Sequence, residues 1–208
     1  MSRLCRSLPL LLLVASASGQ AADVPQGFVL RHATEPLLLN KQIEPAALRA
    51  LHVWDARTEA WRPPRAGEAP GERSTLVVLH LWATYCAPCR EEFPLWRQLA
   101  EDLRASKGDR VRIVFLSETQ SNEEMHLFFS QNRERMPSGP HYLDAAESIA
   151  EALRRDQSMP LAYPLTVILD ERRVVRHALV GKLKGRRAEL LTAIERLLSL
   201  PQAAQPAK

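Results

Sequence analysis

Cysteine is scarce. The 208-residue chain has three, Cys5, Cys86 and Cys89, and the first lies in a segment read below as a removable leader. A framework of structural disulfides is therefore excluded, because two cysteines with two residues between them close only a very small loop. Aromatic residues are few, at 6%, and no apolar run approaches the roughly 20 residues of a membrane-spanning helix. A surplus of one charge sign is also missing: 28 basic residues stand against 24 acidic, a formal +4. Arg154-Arg155-Asp156 and Glu171-Arg172-Arg173 mix the signs along the chain. No block of basic residues of the kind that binds nucleic acid is present, so no nucleic-acid partner is expected. What remains, 46% hydrophobic and 25% charged, is the balance of an ordinary globular protein, and collagen-like, coiled-coil and wholly disordered readings fall away.

Met1 to Ala22 reads as a secretory signal. Arg3 and Arg6 supply the basic start, Leu8 to Val14 the apolar run, and small residues lead to Ala21-Ala22. Its removal would take Cys5 with it and leave no stable membrane insertion, in a compartment where disulfides persist; an uncleaved anchor is the alternative. Residues 23–73 read as an N-terminal extension. Within it Pro45-Ala46-Ala47-Leu48 can open a short helix, and Leu51 to Trp54 and Ala60 to Arg62 can form an outer hairpin. Residues 74–200 carry the main domain, and 201–208 a frayed tail.

In the main domain, Leu76-Val77-Val78-Leu79-His80-Leu81-Trp82 is the nearly continuous apolar run of a strand buried on both faces. From Cys86 to about Ala105 the spacing of Leu95, Trp96, Leu99 and Leu103 predicts a helix, kinked at Pro94. Val111 to Leu116 is a second strand. Ser121 and Glu124 form a capping-box pair before Met125, Phe128 and Phe129, and Asp144 with Glu147 repeats the pattern before a helix ending near Arg155. Thr166 to Leu169 and Val174 to Leu179 form a hairpin, and a last amphipathic helix starts near Arg186. The order is α/β with a mixed sheet, because a four-residue turn joins only antiparallel strands.

The chemistry concentrates in Trp82-Ala83-Thr84-Tyr85-Cys86-Ala87-Pro88-Cys89-Arg90-Glu91-Glu92-Phe93-Pro94. A CxxC that follows a buried strand and opens a helix places Cys86 where free backbone N–H groups favour its thiolate. Cys89, one turn on, is placed to resolve a mixed disulfide. Half of a zinc site is the competing reading. It lacks a second CxxC, and His32, His52, His80, His126, His141 and His177 show no ligand spacing, so no metal is expected.

These residues resemble the active site of the thioredoxin superfamily, and their wording is similar to the TlpA/ResA-like branch of secreted thiol–disulfide oxidoreductases. The resemblance implies a thioredoxin-like fold, a central mixed sheet flanked by helices, without a bound cofactor. It implies that Cys86 is the nucleophile and Cys89 the resolving thiol. Glu92 matches the branch's acid three residues after the second cysteine, a partly buried carboxylate able to exchange the proton of Cys89; a solvated first-turn acid is the bland alternative. Pro164, in Tyr163-Pro164-Leu165-Thr166, matches the cis-proline that presents the preceding backbone to substrate, and Gly181 a small residue after the hairpin. Tyr85, Ala87, Pro88, Tyr163 and Pro164 would line the substrate surface. Two residues depart from the pattern. Tyr85 replaces the usual Trp. His80 stands where thioredoxin has Asp and the branch commonly Asn, and could move the proton of Cys89 by titrating near neutrality, or simply be a hydrogen-bonded core histidine.

The implied activity is thiol–disulfide exchange with protein partners in the periplasm. The branch favours reduction of selected substrates, such as apocytochrome c before haem attachment, with a membrane thiol donor restoring the dithiol. An oxidase or isomerase of secreted proteins, a copper(I)-handling thiol protein and a peroxidase on the same fold are the rival readings.

Overall fold

The structure, a computed structural model, describes residues 35–70, 74–119, 121–137, 139–154 and 161–200. The expected leader, Cys5, residues 23–34, Pro160 and the tail at 201–208 lie outside the described residues.

The chain runs α1 (Pro45–Arg49), β1 (His52–Asp55), β2 (Ala60–Arg62), β3 (Leu76–Trp82), α2 (Ala87–Glu91), α3 (Phe93–Lys107), a 3₁₀ turn (Gly108–Arg110), β4 (Val111–Ser117), α4 (Asn122–Asn132), β5 (His141–Leu143), α5 (Ser148–Leu153), β6 (Leu165–Leu169), β7 (Val175–Val180) and α6 (Arg187–Ser199). The strands form one sheet in the order β2-β1-β5-β4-β3-β6-β7. β4 lies parallel to both β3 and β5; β6 is antiparallel to β3 and to β7, and β1 is antiparallel to β2 and β5. The expected hairpin at 52–62 thus forms one edge of this sheet.

β3 is central and buried at all seven positions. Alternation sends its side chains to opposite faces. Leu76, Val78 and Trp82 join the core that holds both cysteines, Trp96, Leu99, Met125 and Leu190, beneath α3, α4 and α6. Val77, Leu79 and Leu81 join the opposite core with Leu38, Ile43, Leu48, Ile149 and Leu153. The expected N-terminal extension therefore supplies part of one face, through Leu38, Ile43, Leu48, Leu51 and Val53. Residues 40–43 run along β7, with Asn40 N–H on Val175 O at 2.8 Å, Val175 N–H on Lys41 O at 2.9 Å and Ile43 N–H on Arg173 O at 2.9 Å. Lys41 donates to the carbonyls of Ala152 and Arg154 at the end of α5, where a cation suits the helix dipole.

Several local expectations are corrected. The predicted continuous helix from Cys86 is two helices, broken at Glu92 (φ −95°, ψ −4°). Pro94 takes the second position of α3, where the N–H it lacks would have no intrahelical partner, so it opens a helix and does not kink one. β5 was not expected, because three residues after Pro140 are too few to show a period. Ser121 does cap α4, accepting from Glu124 N–H at 3.2 Å, but the Glu124 carboxylate turns to Thr84 and does not return to the cap. At α5, which ends at Leu153, Asp144 accepts from the N–H groups of Ser148, Ile149 and Ala150 at 3.1, 2.7 and 3.1 Å, while Glu147 sits at φ 54° as N-cap without a side-chain cap bond.

Ile43 is fully buried in the core under β3, β4 and β6. Replacing it with Ala is expected to cost about 2–5 kcal/mol, read as a lower midpoint of urea unfolding. A loss within about 0.5 kcal/mol, the range of surface substitutions, would mean that this segment does not help hold the domain.

Candidate active site

β3 delivers the chain to the cysteines. After Trp82 the backbone turns, with Cys86 N–H on Ala83 O at 3.1 Å, and α2 starts at Ala87 with Pro88 in its first turn. Cys86 is the N-cap; its sulfur accepts from Cys89 N–H at 3.2 Å and is disulfide-bonded to Cys89. Cys86 keeps 6% of its surface exposed and Cys89 none. Of the two cysteines, only the first keeps any contact with solvent.

The loop carrying Cys86 is tied to the loop after β4. Glu118 N–H donates to Trp82 O at 3.0 Å. The Thr84 and Thr119 hydroxyls, both buried, lie 2.9 Å apart, and Thr84 also donates to Glu124. Tyr85 is 70% exposed and its hydroxyl donates to the Glu118 carboxylate. That bond, with some desolvation and the charge of Glu118 itself, pushes the Tyr85 phenol up to about 12. None of Thr84, Glu118, Thr119 or Glu124 was expected as part of the site. Their partners lie 33 to 40 residues away, and side-chain bonds over such a span leave no local sequence signal.

The Tyr163–Pro164 peptide bond is cis. Pro164 is buried, and its carbonyl accepts from Gly181 N–H at 2.8 Å. Gly181 has φ 86°, a conformation that disfavours any side chain. Tyr163 packs on the core that contains both cysteines. Burial first, then the charge of Glu118 and the Tyr85 phenol, raises its hydroxyl above the ordinary phenol range. Ala87 is exposed and Pro88 half-buried, so Tyr85, Ala87, Pro88 and Tyr163 all keep some surface available.

Glu92 is not the solvated acid of the bland reading: it is 4% exposed. One carboxylate oxygen accepts from Leu183 N–H at 2.8 Å and the other from Lys184 N–H at 2.5 Å. The carboxylate sits at the break between α2 and α3 and holds the loop after β7 against it. His80 shares the sheet face of Val78 and Trp82. It is 1% exposed, its Nδ1 lies 3.0 Å from Thr166 Oγ1, and its ring centroid is 4.2 Å from that of Trp96. Burial, with a smaller contribution from His141, lowers its pKa to about 3. Titration near neutrality is thereby corrected: desolvation keeps the ring uncharged. Among the described residues, no three His, Cys, Asp or Glu side chains gather as a metal site would need.

A CxxC that follows a buried strand and opens a helix, on a mixed sheet flanked by helices, is the arrangement expected of a thioredoxin-like domain. Residues 74–173 match the thioredoxin-like family model, and this stretch is a thioredoxin-like domain. The thioredoxin-like protein YneN of Bacillus subtilis is 29% identical over 126 residues, 57% of this chain and 68% of that protein. Among solved structures, a thioredoxin-like protein from Porphyromonas gingivalis superposes with a TM-score of 0.50 at 18% identity, covering 77% of this chain and 97% of that one. StoA from Bacillus subtilis gives 0.48 at 17% identity, over 70% and 98%. The Porphyromonas likeness is one of fold.

Two outcomes are expected. Removing the Glu92 carboxylate with Glu92→Ala leaves the Leu183 and Lys184 amides without their acceptor, at about 1–3 kcal/mol for the buried Leu183 amide and less for the part-buried Lys184 amide. Hydrogen exchange at Leu183 and Lys184 should quicken in that variant, and unchanged exchange would refute the tie. Acid should also destabilise the fold through the buried imidazoles. An unfolded histidine binds a proton near pH 6.5, whereas the folded rings resist until about pH 3 for His80 and about pH 4 for His141. Between those limits the unfolded chain holds the extra protons, so stability falls as pH falls, by up to about 1.4 kcal/mol per pH unit for each ring. In His80→Asn the slope of unfolding free energy between pH 6 and pH 4 should drop by about that amount.

Proposed function

We propose that this chain is an extracytoplasmic reductant of disulfides in selected protein partners. The observation that carries the reading is the Cys86–Cys89 disulfide at the start of α2, its first cysteine 6% exposed and its second fully buried. In the reduced state the Cys86 thiolate attacks a partner disulfide, a mixed disulfide forms and the partner's other sulfur leaves as a thiolate. Cys89 then gives up its proton and attacks Cys86, releasing the partner's second thiol. Two electrons pass to the partner and the Cys86–Cys89 disulfide remains. The Cys89 N–H that contacts the Cys86 sulfur and the N-terminal end of α2 both favour negative charge there.

Tyr85, Ala87, Pro88, Tyr163 and the cis-Pro164 backbone form the surface offered to the partner. Glu92 serves this chemistry by fixing the loop at 183–184, and His80 as a neutral residue under the site; neither is assigned the proton of Cys89. The leader-like residues 1–22 support export, to the periplasm in a bacterium with two membranes, and a membrane thiol donor would return the pair to the dithiol. Apocytochrome c before haem attachment is a substrate of the expected kind.

Equilibrating the Cys86/Cys89 pair against a glutathione or dithiothreitol series tests the direction. A potential near the thioredoxin end, about −270 mV, is expected, whereas one near about −120 mV would make the protein a disulfide donor. Cys89→Ser should trap partners as mixed disulfides through Cys86. Absence of a reversible couple, with stoichiometric retention of copper(I), would replace the oxidoreductase reading with metal handling.

A further inference from the structure

A second concave site lies at the far end of the molecule from the cysteines. It is a cleft of about 520 Å³ between the β6–β7 turn and the end of α6. Leu76, which opens β3, lines it, while the cysteine loop follows the other end of that strand. Seven residues at about 3.3 Å each put the two places roughly 20 Å apart.

One wall is apolar: Leu197 and Leu198 are half-buried, and Leu200 is 56% exposed. The other is cationic, with Arg110, Arg172, Arg176 and Arg196 against Asp170 and Glu171. Two of these guanidinium groups are already engaged. Arg176 bonds to Asp170 at 2.7 Å and to Asn40 at 2.9 Å, and Arg110 caps the Leu198 carbonyl at 3.3 Å. The guanidinium groups of Arg172 and Arg196 are both exposed and neither has a hydrogen-bond or ion-pair partner among the described residues. No local pattern marks this cluster, because its members come from the 3₁₀ turn, the hairpin turn, β7 and the last helix, and Arg110, Arg172 and Arg196 each follow an acid along the chain.

We propose that this cleft binds an amphipathic anion, a carboxylate or phosphate head on a short apolar chain. The head meets Arg172 and Arg196, whose planar donors suit two-oxygen anions. The chain lies along Leu197, Leu198 and Leu200. The volume falls in the range of small-molecule sites, which combine apolar walls with a few placed polar groups. Neither unpaired cation nor exposed leucine is needed to hold the fold, since Arg110 and Arg176 already make the structural bonds there. The site is separate from the cysteine chemistry and does not depend on its direction.

Octanoate, 1-octanol and acetate, titrated into isotopically labelled protein, test both halves of the requirement. Octanoate is expected to shift the backbone amides of residues 171–172 and 196–200, and the other two probes to bind at least tenfold more weakly. Arg172→Gln with Arg196→Gln should weaken octanoate at least tenfold while leaving the Cys86/Cys89 redox equilibrium unchanged; each single variant should weaken it less. Equal binding of 1-octanol or of acetate, shifts elsewhere on the protein, or indifference of the double variant would overturn the proposal. Binding to phosphatidylglycerol vesicles without binding to octanoate would overturn it too, in favour of a membrane-facing surface.

Discussion

The structure depends on one strand being buried on both sides. β3 has no solvent face, so each face needs its own cover, and two cores form back to back across it. Helices α3, α4 and α6 close one core. The other is closed by α1, α5 and the segment around Leu38 and Ile43. Because β3 pairs in parallel with β4 and antiparallel with β6, both neighbours lock its register and the loop beyond Trp82 starts from a fixed point. The cysteine pair inherits that fixity. A site that must present one sulfur and seal the other within three residues could not be held by a loop of independent motion.

Around that anchor, the site is made of long-range ties more than of local motif. Thr84 reaches Thr119 and Glu124, Tyr85 reaches Glu118, and Glu92 reaches Leu183 and Lys184. These bonds join the cysteine loop to the loop after β4 and the helix break to the loop after β7. The β7 loop is also joined to cis-Pro164 through Gly181. The surfaces a partner would touch are thus held from several directions, as a preorganised exchange site requires.

What was legible followed from physical length. The nearly continuous apolar run of β3, the CxxC with its strand before and helix after, the Ser121 cap and the 165–180 hairpin each carry a signal within a short window. β5 does not, having three residues. The break at Glu92 was hidden because Pro94 reads equally well as a kink inside one helix or as the opening of a second, and only the tertiary bonds of Glu92 decide. His80 was readable as a polar residue in a core strand, but its charge state depends on how completely the core closes over it, which no local pattern states. The docking of residues 38–43 was likewise unreadable, since a loop-like stretch with two buried residues, Leu38 and Ile43, meets partners more than 100 residues on.

The environments of the tyrosines carry a practical consequence. The chain has three, Tyr85, Tyr142 and Tyr163. All three hydroxyls hold their protons beyond the ordinary phenol range, Tyr85 through its bond to Glu118 and the other two through burial. Cysteine thiols ordinarily ionise near pH 8.5, well below free phenols. Across the whole interval in which Cys86 would ionise, the ultraviolet spectrum of the folded protein is therefore clear of tyrosinate. Tyrosinate absorption therefore does not overlap the appearance of the protein's own nucleophile.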